Sequence, residues 1–345
     1  MKKRETELDI LRISALMMVI LVHICGIQIE TLPSTDKNWQ IMVFLRAIVT
    51  WEVPVYIMIS GRFFLDPERN VTFRKIGKSI LRLVLAFVLW DVAYQIYYIA
   101  AGAYADLNWK GVLSEALVGP YHFWYLWMLI CLYAITPFLR KIAQDKKLME
   151  YFIVLYLVFQ FLTEYGPDIP LIGTTVNAVL SKSHFHFTLG YAGYYILGYY
   201  LYKYQLSDKA EKVLYAVGTI LLIAAAWANL GRCIQEGYED VWYTQYLRPN
   251  IVVESMAVYT FFVKRLSKVQ FSEKTVRRIT TVADYSFGVY LVHALVIELY
   301  ARAGLTPTLS HPLVMVPLFT VLVYVTSHFA AVLLRRIPLV GKKMT

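Results

Sequence analysis

Residues 8–29 read LDILRISALMMVILVHICGIQI, an apolar run interrupted by an arginine, Arg12, and a histidine, His23. A run of this length is enough to cross the hydrocarbon core of a bilayer as one helix. Ionisable side chains inside such a segment are costly and mark a functional site by default. Their spacing matters as well. Eleven residues at about 100° each make roughly three turns plus about 20°, so both side chains leave one helix face, about 16 Å apart along the axis. A charge near one end and an imidazole beyond the middle describe a path from one membrane face toward the interior.

The rest of the chain has the same character. Of 345 residues, 58% are hydrophobic and 17% charged, and mean hydropathy is +0.51. Soluble domains carry about 25% charged residues. Apolar runs predict ten spans, near 9–29, 41–61, 80–101, 122–139, 149–165, 187–203, 212–230, 249–264, 284–302 and 312–334. The expected fold is an all-α polytopic bundle with both termini cytoplasmic, one membrane domain filling residues 1–345. No small-residue cleavage site follows the first run, so it reads as a span rather than a cleaved signal.

Charge placement sets the orientation. With ten spans, the segments assigned inside hold 26 of the 34 Lys and Arg residues, and those outside hold six: Lys37, Lys110, Lys182, Arg232, Arg248 and Arg302. Arg12 and Arg46 lie within spans. This asymmetry follows the positive-inside rule. The net charge of +10 is therefore orientation signal and attraction to anionic membrane lipids, not a nucleic-acid footprint. Cys25, Cys131 and Cys233 have no paired spacing and predict neither disulfides nor a zinc site. His184 and His186 lack a third ligand at suitable spacing, so no metal site is expected.

Three further constellations carry chemistry. The second span holds Arg46 and Glu52 ahead of Pro54, which read either as a mutually neutralising pair or as groups facing a substrate. The proline breaks the helix ladder locally. The next connection, GRFFLDPERNVTFRKIGKSILR (61–82), packs six basic residues. Arg74, Lys75, Lys78 and Arg82 suit the phosphates of a donor at a cavity mouth, and topology alone accounts for most of them except Arg82. His122 and Trp124 open the fourth span, where an interfacial aromatic belt is the simpler reading. His293 in the ninth span is either a ligand-facing imidazole or a hydrogen-bonded core residue.

Arg12 and His23 match the arginine–ten residues–histidine motif of the acyltransferase 3 family, and the chain resembles that family along most of its length. VPVYIMISGRFFL (53–65), FRKIGKSILRLVLAFVLW (73–90), HFWYLWMLICLYAITPFLR (122–140), YAGYYILGYYL (191–201) and YSFGVYLVHALVIE (285–298) are similar to its successive segments, in order. Two positions depart from the pattern. Ser79, beside Lys78, stands where a second arginine is usual three residues before Arg82, and Ala294 replaces a proline after His293.

The resemblance implies a stand-alone membrane O-acyltransferase of the cell membrane. Its donor would be cytoplasmic acetyl-CoA, and its acceptor a hydroxyl of a surface polysaccharide or lipid-linked sugar. By the same resemblance Arg12 and His23 are the catalytic pair, with His23 as general base or as an acyl-carrying relay. Arg82, Lys78, Arg74 and Lys75 would hold the donor. Glu52, Arg46, His122, Trp124 and His293 would stand on the acceptor side. No bound cofactor is expected, and a homo-oligomer is left open. A transporter of small polar solutes and a membrane scaffold are the rival classes that the residues alone allow.

Overall fold

The computed structural model describes residues 4–104, 106, 108–183, 190–337 and 341, and the regular structure in them is entirely helical. Lys2, Lys3, His184, His186 and the first residues of the sixth expected span lie outside the described residues.

The first apolar run is α1 (Thr6–Ile29). The second is two helices, α2 (Lys37–Ala47) and α3 (Glu52–Phe64), separated by a turn over residues 48–51. The break thus precedes Pro54, which sits in the first turn of α3, where its missing N–H costs least. Next come α4 (Phe73–Ala100), a short α5 (Trp109–Val118), α6 (Trp124–Ile142), α7 (Lys146–Tyr165) and a short α8 (Gly173–Ser183). The chain continues through α9 (Tyr191–Lys203), α10 (Asp208–Glu236), α11 (Pro249–Thr260), α12 (Glu273–Ala283), α13 (Ser286–Arg302) and α14 (Pro312–Arg335). Side chains cap several starts: Thr72 accepts from the Lys75 amide, Asp145 from Leu148 and Ser207 from Ala210, satisfying donors that a helix start leaves open.

Among the described residues seven helical stretches, with α2 and α3 counting as one, are long and apolar enough to span a bilayer, and an eighth is formed if α12 and α13, bent by 53°, count as one. Their outward surfaces explain why the chain needs lipid. Leu81, Val84, Val88, Val92, Ile96 and Ile99 form an exposed apolar stripe along α4, and α14 carries another through Leu318, Val325 and Phe329. Such continuous apolar faces are liabilities in water and ordinary surface in hydrocarbon. The expected sixth and eighth spans are the short helices α9, of 13 residues, and α11, of 12, the latter prolonged by a π turn over Phe261–Arg265. At 1.5 Å per residue α9 covers only about 20 Å, and it is enclosed by protein rather than by lipid.

What encloses it is α3. A Cβ placed on Gly198 would lie 2.1 Å from the Met58 carbonyl oxygen, and one on Gly61 1.9 Å from that of Tyr195. Only hydrogen fits at either contact, the small-residue packing that brings membrane helices into backbone contact. Gly198→Ala is expected to lower the apparent Tm in detergent by several degrees and to broaden the size-exclusion profile. Gly77→Ala, where a Cβ would meet nothing within 4 Å, should leave both unchanged.

Ion pairs tie the helices at both ends. At the end where α1 begins, the proximal end, Glu5 accepts from Arg62 and Arg69 at 2.9 Å each. Arg140 donates there to the carbonyls of Phe64, Asp66 and Arg69, and Lys264 lies 2.7 Å from Asp208 and 2.9 Å from Glu211. At the distal end Arg46 pairs with Glu239, Arg248 pairs with Glu164 at 3.3 Å, and the Trp39 indole donates to the Ile29 carbonyl. Arg62, Arg140 and Lys264 therefore also hold helix ends together, beyond any orienting role.

Candidate active site

Because α1 is helical throughout, Arg12 and His23 lie on one face, and both open onto one cavity of about 340 Å³. Arg82 and Ser79 of α4 line the same cavity, and its walls carry Tyr56, Tyr125, Tyr133, Tyr246 and Tyr290. It is mostly apolar with a few convergent polar groups, the usual character of a small-molecule site.

At the proximal mouth the Arg12 guanidinium lies 3.1 Å from Asp9, which Arg4 also binds at 2.6 Å, while Arg4 reaches Asp284 at 2.7 Å. Asp9 thus orients Arg12 without depending on it. The backbone carbonyl of Arg12 accepts from Tyr56 at 2.7 Å, which fixes this turn of α1 against α3. The Arg82 guanidinium lies 5.2 Å from the centre of the Phe287 ring, a cation–π contact. Arg74, Lys75 and Lys78 stand on the exposed face of the first turns of α4 and are not part of the cavity wall. Two guanidinium groups, rather than a four-residue basic cluster, face the cavity from this pair of helices.

At the deep end His23 and His122 line the cavity, and His293 packs against both. The His23 ring is 5.3 Å from that of His293 and 6.4 Å from that of His122, and the latter two are 5.1 Å apart. His122 arrives on a one-turn 3₁₀ helix, Tyr121–Phe123, that leads into α6. Gly119 makes the approach possible: its φ is +78° and a Cβ there would lie 2.9 Å from the Phe87 ring, so only glycine avoids both penalties. His122 is 2% exposed. The interfacial-belt reading of this residue is therefore corrected, because the short turn folds its ring inward against α4 and α13.

His293, on α13, is wholly buried. Its Nδ1 meets the carbonyl of Tyr290, one turn earlier. A carbonyl only accepts, so Nδ1 carries the proton in the neutral ring and Nε2 carries the lone pair. That Nε2 has no hydrogen-bond partner among the described residues. The Tyr290 hydroxyl donates in turn to the His122 carbonyl, and Tyr94 donates to the Leu291 carbonyl at 3.1 Å while accepting from the Leu295 amide at 3.0 Å. These bonds tie α4, α6 and α13 around the three rings. Among the described residues no group of three or more His, Cys, Asp and Glu side chains is placed to hold a metal ion.

The proposed Arg46–Glu52 pair does not form. The break between α2 and α3 turns the two side chains apart, Arg46 pairs with Glu239 from the segment after α10, and Glu52 accepts from the Tyr246 hydroxyl at 2.8 Å. Glu52 is fully buried, and its second oxygen has no hydrogen-bond partner among the described residues. Trp124 lines the cavity instead of lying in a lipid-facing belt, its ring stacked on Tyr246 at 5.5 Å and 25°.

Sequence reasoning missed the tyrosines. Tyr290 was detectable, three residues before His293 on one helical face. Tyr246 was not, because it lies in an aperiodic connection. Asp9 and Glu239, the partners of Arg12 and Arg46, also went unassigned.

The sequence profile of one family, described as an acyltransferase domain, matches residues 5–336. No curated protein and no solved structure matches the chain.

Proposed function

Because this chain belongs to the acyltransferase 3 family, we propose that it moves an acetyl group from cytoplasmic acetyl-CoA to a hydroxyl of an extracytoplasmic glycan or lipid-linked sugar. The observation that carries this reading is one cavity lined by two guanidinium groups, Arg12 and Arg82, and by an imidazole, His23, about three helical turns deeper than Arg12. Guanidinium groups suit the donor's phosphates. A thin pantetheine arm suits a cavity with aromatic walls, and the thioester would reach His23.

In this mechanism His23 is the general base. It takes the proton of the acceptor hydroxyl as the oxygen attacks the thioester carbonyl. The C–O bond forms, the C–S bond breaks, and the imidazolium returns the proton to the departing thiolate of CoA. An imidazole does this well near neutral pH because its ordinary pKa lies there. His293 and His122, whose rings lie 5.3 and 6.4 Å from that of His23, keep its neighbourhood polar.

The test is release of CoA thiol by purified protein in nanodiscs, supplied with acetyl-CoA and surface-glycan extract. Release that requires both the extract and His23 supports the proposal. Solute movement without any acyl donor, and no donor binding, would contradict it.

A further inference from the structure

A second cavity, of about 330 Å³, lies at the distal end, lined by Val22, Arg46, Thr50, Glu164, Tyr191, Val241 and residues 244–247. Tyr246 belongs to the walls of both cavities. Its ring stacks on Trp124, its hydroxyl is held by the buried Glu52, and its carbonyl accepts from Tyr194 at 2.6 Å. Trp124 also lies 5.8 Å from Tyr191. Two chambers thus share one aromatic wall.

We infer that the distal cavity is a binding site for a neutral polyhydroxylated molecule, and that Tyr246 is the movable partition between it and the cavity of His23. The inference deepens the proposed function, since it assigns the acceptor's waiting position.

The charges decide the ligand class. Arg46 is already neutralised by Glu239, and Glu164 by Arg248. An ionic ligand would have to compete with these existing pairs for Arg46 or Glu164, side chains that are only partly exposed and already neutralised. The rest of the polar lining is uncharged: the Thr50 and Thr244 hydroxyls, which donate to the Arg46 and Val241 carbonyls and keep lone pairs to accept with, together with Gln245 and two tyrosines. Aromatic faces at Tyr191 and Tyr246 suit the apolar faces of a sugar ring.

The partition follows from Glu52. Its first oxygen holds the Tyr246 hydroxyl, while the second is buried with no hydrogen-bond partner among the described residues. A ligand hydroxyl arriving from the distal cavity can satisfy the carboxylate as Tyr246 leaves it. Ligand and tyrosine thereby exchange one acceptor, and the way to His23 opens only when the site is filled.

The test reads accessibility, not acyl transfer. Val19→Cys places a thiol on the wall of the inner cavity, and Gln245→Cys marks the distal one. A membrane-impermeant thiosulfonate is applied to sealed vesicles from the face at which Gln245→Cys reacts, with the parent protein as background. Val19→Cys is expected to react about tenfold faster when combined with Tyr246→Ala, and to an intermediate degree with Tyr246→Phe, which keeps the ring and loses the hydroxyl. The Gln245→Cys rate, measured in each Tyr246 variant, reports an intact fold. Methyl glycosides of glucose, galactose or N-acetylglucosamine are expected to slow Gln245→Cys labelling, while glucuronate and glucose 6-phosphate do not. Equal Val19→Cys rates with and without Tyr246, protection by the charged sugars, or protection by none of the sugars would overturn the inference. Because no thioester takes part, such a failure would leave the role of His23 standing, and loss of CoA release would leave this site standing.

Discussion

His23→Ala is expected to reduce acetyl transfer by about 100- to 10,000-fold, the range that a positioned general base supplies. The loss should fall on kcat, with donor affinity within a few-fold of the parent, because in the proposed mechanism the donor's charged end sits about three helical turns away, at Arg12 and Arg82. A structural histidine would behave differently: its removal would lower the apparent Tm and leave the surviving folded fraction active. His23 is partly open to the cavity, whereas His122 and His293 are buried, so truncating it enlarges an existing cavity rather than stranding a packed core. The apparent Tm of His23→Ala should therefore stay close to that of the parent. CoA-release kinetics and thermal stability measured on one preparation separate the two accounts.

Arg12→Gln is expected to raise the KM for acetyl-CoA by about 10- to 100-fold while kcat changes far less. A hydrogen bond to a charged group contributes about 1.5–3 kcal/mol, which corresponds to that range. The substitution is informative because Asp9 does not lose its only partner: Arg4 still binds it at 2.6 Å. By contrast, Arg62 sits between Glu5 and Asp66 with its guanidinium 3.5 Å from the centre of the Tyr202 ring, so its removal should cost stability first. Arg12→Lys should recover part of the affinity, because the charge returns without the bidentate fork. Steeper loss of donor affinity with salt in the parent than in Arg12→Gln would confirm that the contact is ionic. A fall in kcat with unchanged KM would instead move Arg12 to the reacting atoms.

The helical membrane architecture was legible because hydrocarbon leaves few choices: an apolar run of some twenty residues must satisfy its own backbone, and it does so as a helix. The relation between Arg12 and His23 was legible for the same reason, since helix geometry converts an eleven-residue interval into one shared face. The break over residues 48–51 was not, because the hydropathy of that run is continuous and its one proline, Pro54, lies past the break in the first turn of α3. The partner of Arg46 was equally hidden. Glu239 is 193 positions away, while Glu52 is near in sequence and turned elsewhere by the break.

His122 illustrates the limit more sharply. A histidine among aromatics at the start of a span looks like an interfacial residue, and nothing local says that the Gly119 turn folds it inward against His293. The short α9 is a related case. Its composition is that of a span, and only the glycine contacts with α3 reveal a helix buried in protein. Arg74, Lys75 and Lys78 show the converse: basic residues adjacent to Arg82 in sequence spread around a helix, and only one position in that cluster meets the cavity.

In the proposed function acyl transfer occurs at His23, between a donor held at the proximal end and an acceptor entering from the distal end. The most direct measurement encloses acetyl-CoA labelled in its acetyl group on the proximal side of oriented proteoliposomes, with glycan acceptor only on the other side. The prediction is labelled glycan outside, CoA thiol appearing inside in equal amount, and neither product with His23→Ala. Labelled glycan formed only when donor and acceptor share one side, or formed undiminished by His23→Ala, would contradict it.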